Sequence, residues 1–315
     1  MNIYRMESIE VNRSRWTGID FLFLASGADS RAYEILQKID LQKTTVVFFH
    51  FKERIESLDL TNATSFYRYK NLKYSNIVEI SCEIKAPSSC LNEILAIHMP
   101  ANAKIGIDIS CFTKPYFYFL LKLLKERYKI ANILAYYTEP KSYIFDKGMF
   151  NNFHSSSGPL SIYEIPGFSG LEKRDTMRQL VILLGFDGDL SKEINEDVSP
   201  HQTVIINGFP AYTPKFKDIS LIANEKLVCD CNIRLEYCLA NNPFDTYNLL
   251  HKIKNSNKTE TFFNIAPLGT KPMALGACLF ALHNPEVRIV YPLPENYENK
   301  YSTMCSRSWM YQLPL

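Results

Sequence analysis

Residues Ile105-Gly-Ile-Asp-Ile-Ser-Cys-Phe-Thr-Lys-Pro-Tyr-Phe-Tyr-Phe-Leu-Leu-Lys-Leu-Leu124 read as an apolar strand, a short loop ending in Thr-Lys-Pro, and an apolar helix. Residues Phe262-Phe-Asn-Ile-Ala-Pro-Leu-Gly-Thr-Lys-Pro-Met-Ala-Leu-Gly-Ala-Cys-Leu-Phe-Ala-Leu282 repeat that order. Each helix runs into another apolar strand carrying Tyr-x-x-Pro-x-x-Tyr, first at Tyr137, Pro140 and Tyr143, then at Tyr291, Pro294 and Tyr297. A long internal period of this kind implies two similar units in one chain.

The repeat extends upstream in both copies. Phe21-Leu-Phe-Leu-Ala-Ser-Gly-Ala-Asp-Ser30 is an apolar strand entering a small-residue turn, matched by Leu180-Val-Ile-Leu-Leu-Gly-Phe-Asp-Gly-Asp189. A second strand follows in each, Thr45 to His50 and Thr203 to Gly208, and a helix with an early proline begins near Pro87 and Pro243. Continuous Val, Ile and Phe runs suit strands covered on both faces, as in a parallel sheet. Strands alternating with helix-sized crossovers give an α/β class. The expected architecture is two tandem Rossmann-like units with parallel-type sheets, related by a pseudo-two-fold axis. Their expected bounds are 1–143 and 179–315, the second with an aromatic C-terminal tail. Residues 144–178, rich in Ser, Gly and Pro, read as a linker or flap.

At 315 residues and 46% hydrophobic content, two cores of ordinary size can be filled. Charge is nearly balanced, 35 Lys+Arg against 33 Asp+Glu, which argues against a broad nucleic-acid surface. No stretch approaches the ~20 apolar residues that span a bilayer, and the first residues lack the apolar core of a secretion signal. Eight scattered cysteines, several inside apolar runs, are expected to be reduced and mostly buried in a cytoplasmic protein. Cys229-Asp-Cys231 has no matching pair to complete a zinc site, and the six histidines show no metal spacing. No metal or cofactor is expected.

In a parallel α/β sheet the ligand crevice lies beyond the C-terminal strand ends, where strand order reverses. Four loops fall there: Ser26 to Ser30, Gly185 to Gly188, and the two Thr-Lys-Pro loops. The candidate ligand-binding residues are therefore Ser26, Asp29, Ser30, Thr113 and Lys114 in the first unit, and Phe186, Asp187, Gly269, Thr270 and Lys271 in the second. The free N–H groups at a helix start suit an anion such as phosphate. Thr113 and Thr270 are placed to cap those helices, with Lys114 and Lys271 adding a cation. Gly269 lets the backbone approach a ligand closely or adopt positive φ. The bland alternative for Thr-Lys-Pro is a cap, a solvated lysine and a first-turn proline. Asp187 and Asp189 read as turn residues, and His50 ends a strand beside the crevice.

Asn264-Ile-Ala-Pro-Leu-Gly-Thr-Lys-Pro-Met-Ala-Leu resembles the strand–loop–helix motif of CARF domains, roughly Asn-x-Thr-Gly-Gly-Thr-Lys-x-Met. These are Rossmann-like sensors of cyclic oligonucleotides in prokaryotic antiviral systems, and the related SAVED domains resemble two such units fused. Gly269, Thr270 and Lys271 match the end of that loop, as do Thr113 and Lys114 in the first copy. The first copy has Cys111 and Phe112 where the family has glycine, and the second has one extra residue between Asn264 and Lys271. The resemblance implies a sensory protein that holds a phosphate-bearing nucleotide, such as a cyclic oligonucleotide, at the seam between the repeats. It would act through a protein partner or self-assembly. Two other readings stay open: a nucleotide-processing enzyme on the same scaffold, and an interaction subunit with vestigial crevices. Ser26-Gly-Ala-Asp-Ser30 also resembles the pyrophosphate loop of ATP pyrophosphatases, one residue short and without its second glycine. No Gly-x-Ser-x-Gly elbow or Walker loop is present, and no catalytic residue is assigned.

Overall fold

The computed structural model describes residues 5–8, 18–27, 29–55, 76–143, 156–157, 161–257, 259–293, 296–297 and 302–315. Two compact units emerge, Met1–Ile144 with Asn299–Leu315, and Phe145–Glu298. In chain order the first unit holds β1 (Arg5–Ser8), β2 (Phe21–Ala25), α1 (Arg31–Glu34), β3 (Thr45–Phe51), α2 (Lys52–Ile55), β4 (Asn76–Cys82), α3 (Leu91–Leu95), β5 (Lys104–Asp108), α4 (Lys114–Glu126) and β6 (Asn132–Tyr143). The second holds β7 (Ser156–Ser157), β8 (Ser161–Glu164), β9 (Met177–Leu183), α5 (Gly188–Val198), β10 (Gln202–Gly208), α6 (Pro214–Ala223), α7 (Glu225–Val228), β11 (Arg234–Cys238), α8 (Pro243–Asn255), β12 (Thr261–Pro267), α9 (Lys271–His283), β13 (Arg288–Leu293) and β14 (Asn296–Tyr297). The last strand, β15 (Ser302–Pro314), returns to the first unit.

The sheets run β1-β15-β6-β5-β2-β3-β4 and β11-β10-β9-β12-β13-β8. Within each, five strands are parallel in the same order. Chain order runs outward from β2 through β3 to β4, then jumps back to β5 and β6, and β9 to β13 repeat the pattern. The order reverses between β2 and β5 in one unit and between β9 and β12 in the other. The fold is thus α/β with two tandem Rossmann-like units, and the strands aligned by sequence are the strands that correspond.

The domain bounds differ from expectation at both ends. The tail assigned to the second unit is β15, antiparallel to β6 and to β1 in the first sheet, with Trp309 opposite Tyr137. Burial explains the placement: Tyr311, Met310 and Leu313 are all in the core. A strand that would otherwise be an edge is covered. In the presumed linker, β8 pairs antiparallel with β13, so residues from 161 onward are part of the second unit. Residues 144–155, which contain Phe153 and His154 of the supposed flap, lie outside the described residues, as does Pro294 of the second Tyr-x-x-Pro-x-x-Tyr.

The parallel strands are apolar because both faces are packed. One face of the second sheet gathers Leu180, Ile182, Ile205, Ala266 and Val290 beneath Ile194 and Val198 of α5. Helix α9 is buried from Pro272 through Leu282, which accounts for its apolarity all round. Aromatics fill the first core: Phe49 meets Phe112 edge-on at 5.2 Å, and Phe51 meets Tyr116 at 4.8 Å. Among the described residues no helix is long and apolar enough to cross a membrane.

All eight cysteines are free, and five of them are buried. Burial pushes the thiols of Cys82, Cys90 and Cys238 up to about 12. At pH 8, iodoacetamide is expected to modify exposed Cys229 and Cys231 and to spare these three until the chain unfolds, as mass mapping can show. Sign follows from linkage. Unfolded thiols ionise near pH 8.5 while the folded ones keep their protons, so stability falls as pH rises beyond about 9.

Candidate functional site

The second unit brings its two candidate loops into contact. Residues 184–187 leave β9, residues 268–270 leave β12, and these strands are neighbours in parallel register. A Cβ on Gly185 would stand 2.6 Å from the Leu268 carbonyl oxygen, and one on Gly269 3.2 Å from that of Leu184. The approach therefore requires glycine at 185, while at 269 a methyl group would fit tightly, with its neighbours giving by a few tenths of an ångström. Gly269 is not among the positive-φ glycines, so its role is close approach between loops.

Both following helices are capped by side chains: Thr270 as the sequence suggested, and Asp187, a turn residue by sequence. Thr270 accepts from the Met273 N–H at 3.3 Å and donates to the Ala240 carbonyl, fixing the start of α9. Asp187 accepts from the Leu190 N–H at 3.4 Å at the start of α5. Phe186 packs on Phe216 of α6, ring centres 5.6 Å apart, which makes it an anchor for the loop. Lys271, half-buried, is the first residue of α9 behind the Thr270 cap. A helix start with oriented N–H groups and an adjoining ammonium attracts anions.

Sequence reasoning missed what holds this crevice in place. Ser220 Oγ and Asn224 Nδ2 both donate to the Gly185 carbonyl, at 2.9 and 3.0 Å. The Ala240 carbonyl also accepts from the Tyr212 hydroxyl at 3.1 Å. These contacts join the loops after β9, β10, β11 and β12. Nothing in the local pattern around Ser220 or Asn224 marks them, because their role arises only when α6 packs over the sheet.

The first unit's crevice is built differently. Where the second copy has glycine, Cys111 and Phe112 are buried, and Phe112 inserts against Phe49. Thr113 takes the extended N-cap backbone of α4, yet its buried hydroxyl makes no hydrogen bond, in contrast to Thr270. The expected side-chain cap is absent because the oxygen is not brought to the first-turn N–H groups. Lys114, half-buried, opens the helix.

Asp29 is engaged by a neighbour. Its carboxylate holds the buried Arg31 guanidinium through Nε at 3.1 and 3.0 Å and Nη2 at 2.7 Å, and accepts the Arg31 N–H at 2.9 Å. Ser30 stands at the N-cap of α1 without a capping bond and lies 3.5 Å from the Cys305 thiol. Buried Ser26 donates to the Phe49 carbonyl at 3.2 Å and lies 2.7 Å from His50 Nδ1, whose Nε2 is 3.8 Å from Glu79. His50 is thus buried and joined to the crevice through Ser26. On the neighbouring strands, burial and then the Asp108 carboxylate hold the Tyr136 phenol well above its ordinary range. No cluster of three or more metal-ligating side chains occurs among the described residues.

No family model and no curated protein matches this chain. Among solved structures, the crystal structure of the cytoplasmic domain of a prokaryotic cation chloride cotransporter aligns with it. The alignment covers 90% of this chain and 98% of that one, at 10% identity and a TM-score of 0.24.

Proposed function

We propose that the chain is a binding protein for a phosphate-bearing nucleotide, taken at the Gly269–Lys271 loop of the second unit. The observation that carries this reading is the paired loop at the point of strand reversal. Gly185 and Gly269 let two strand ends converge, and a thirteen-residue helix starts there with Thr270 and Lys271. The buried, unbonded Thr113 hydroxyl at the head of α4 supports a related role for the first unit, since such groups are normally satisfied by a ligand or water. Following the CARF and SAVED resemblance, the ligand is a cyclic oligonucleotide, and the setting is prokaryotic antiviral defence. Output passes to a partner protein or to self-assembly. Free, mostly buried thiols fit a reducing cytoplasm.

The test is calorimetric titration of the full chain with ribose 5-phosphate and with a panel of cyclic oligonucleotides. Lys271→Ala is expected to weaken binding about ten-fold, the loss of a charge-assisted contact. Equal affinity in wild type and Lys271→Ala would remove the anion site.

The contact between Ser26 and His50 favours one second reading, a nucleotide-processing enzyme. There the Ser26 hydroxyl turns from the Phe49 carbonyl to His50 Nδ1, and Oγ attacks phosphorus as its proton passes to His50. His50 returns that proton to the leaving oxygen as its P–O bond breaks, and water then hydrolyses the phosphoserine. Burial of Ser26 favours the binding reading. Metal-free turnover of a cyclic oligonucleotide by wild type, lost in Ser26→Ala, would decide for the enzyme.

A further inference from the structure

We propose that Phe209 and Tyr237 form a stacking platform for a nucleobase at the C-terminal edge of the second sheet, an inference that rests on the nucleotide reading above. Both rings are open, 50% and 46% exposed, whereas most other large aromatics among the described residues are buried or half-buried. They meet edge-to-face, centres 6.2 Å apart. Their backbones are fixed to one another, because the Phe209 N–H donates to the Cys238 carbonyl at 2.6 Å and β10 pairs in register with β11.

The chemistry around the pair suits a nucleotide. Lys217 Nζ sits 5.4 Å from the Phe209 ring centre and 3.2 Å from Asp218, and exposed Lys215 lies two residues away on the first turn of α6. Aromatic faces flanked by lysines accept any base through its π-face while the cations meet phosphate. Position also fits. Phe209 follows β10 directly, and β10 adjoins β9, whose loop touches that of β12. Two strand spacings, about 10 Å, separate the ends of β10 and β12, a span that a nucleotide bridges between phosphate and base. Burying an open Phe–Tyr pair under a base also removes apolar area from water, which neither ring achieves in the free protein.

The experiment uses the full chain carrying F209W, titrated with AMP, adenosine and ribose 5-phosphate while indole emission is followed against the wild-type background. AMP and adenosine are expected to quench the added indole, and ribose 5-phosphate to leave it unchanged. Phe209→Ala combined with Tyr237→Ala is expected to weaken AMP about ten-fold without altering ribose 5-phosphate binding. Unchanged F209W emission with AMP and adenosine, together with wild-type AMP affinity in the double alanine variant, overturns the platform. Emission that follows protein concentration instead of added adenosine also overturns it, and assigns the pair to a contact between chains. Quenching by adenosine with no ribose 5-phosphate binding keeps the platform and removes the phosphate site at Lys271.

Discussion

Gly188→Ala is expected to lower the stability of the second unit by about 3 kcal/mol or more, through overpacking against rigid main chain. Gly188 is the first residue of α5, where a Cβ would lie 1.7 Å from the Ala223 carbonyl oxygen and 2.7 Å from its carbon. No side chain can rotate away to make room, because the obstructing atoms are backbone. Either α5 loses its first turn or the corner between α6 and α7 moves. That corner carries Ser220 and Asn224, which hold the Gly185 carbonyl, so its movement would also loosen the candidate crevice. Thermal unfolding followed by circular dichroism should show a midpoint roughly 6–12 °C lower, given the usual entropy of a domain this size. Asp189→Ala, one residue on and exposed, serves as control and should cost only a few tenths of a kcal/mol through the helix dipole. A Gly188→Ala protein that melts with wild type would show that the two helices do not meet as described.

The contrast between Gly188 and Asp187 shows what sequence could convey. Thr270 was recognisable as a cap, and Asp187 at least as a turn residue, because short polar side chains suit those tasks wherever a helix begins. The clash at Gly188 depends on residues thirty-five positions away and leaves no local trace. The repeated strands were legible for a related reason. Parallel strands buried on both faces must be apolar throughout, so Leu22 to Ala25 and Leu180 to Leu183 announce themselves. The C-terminal strand was not assignable to its sheet, since a mixed polar and aromatic segment fits any uncovered edge. Register opposite Ile133 to Tyr143 settles it only in three dimensions. Phe112 and Phe186 occupy loops in the two copies, yet one fills the core against Phe49 and the other braces α6 through Phe216. Sequence placed both beside the crevice and could not distinguish packing from contact with a ligand.

Asp29→Ala is expected to cost about 3 kcal/mol, and the reason separates a structural role from the ligand role that its loop position implied. Arg31 is 2% exposed and its guanidinium is held by the Asp29 carboxylate through two nitrogens. Removing the carboxylate leaves a buried cation with a diminished set of partners, which is far more costly than losing a surface ion pair. One of these oxygens, Oδ1, also accepts the Arg31 backbone N–H, so the turn into α1 loses its local bond as well. Replacing both members, Asp29→Ala with Arg31→Met, removes the uncompensated charge and keeps much of the apolar stem. Stability should then recover by at least half, as it does when buried pairs are exchanged for hydrophobic residues. Urea unfolding of wild type, both single variants and the double variant yields a coupling energy, expected to be about 2 kcal/mol. A coupling near zero would sink the buried-pair account. If ribose 5-phosphate affinity nevertheless fell in Asp29→Ala at unchanged stability, the carboxylate would belong to the binding site after all. The expected pattern is the reverse: lost stability with binding at the Lys271 loop preserved. Asp29 then serves the first unit by holding Arg31 in its core, and the anion site proposed above keeps to the start of α9 at Thr270 and Lys271.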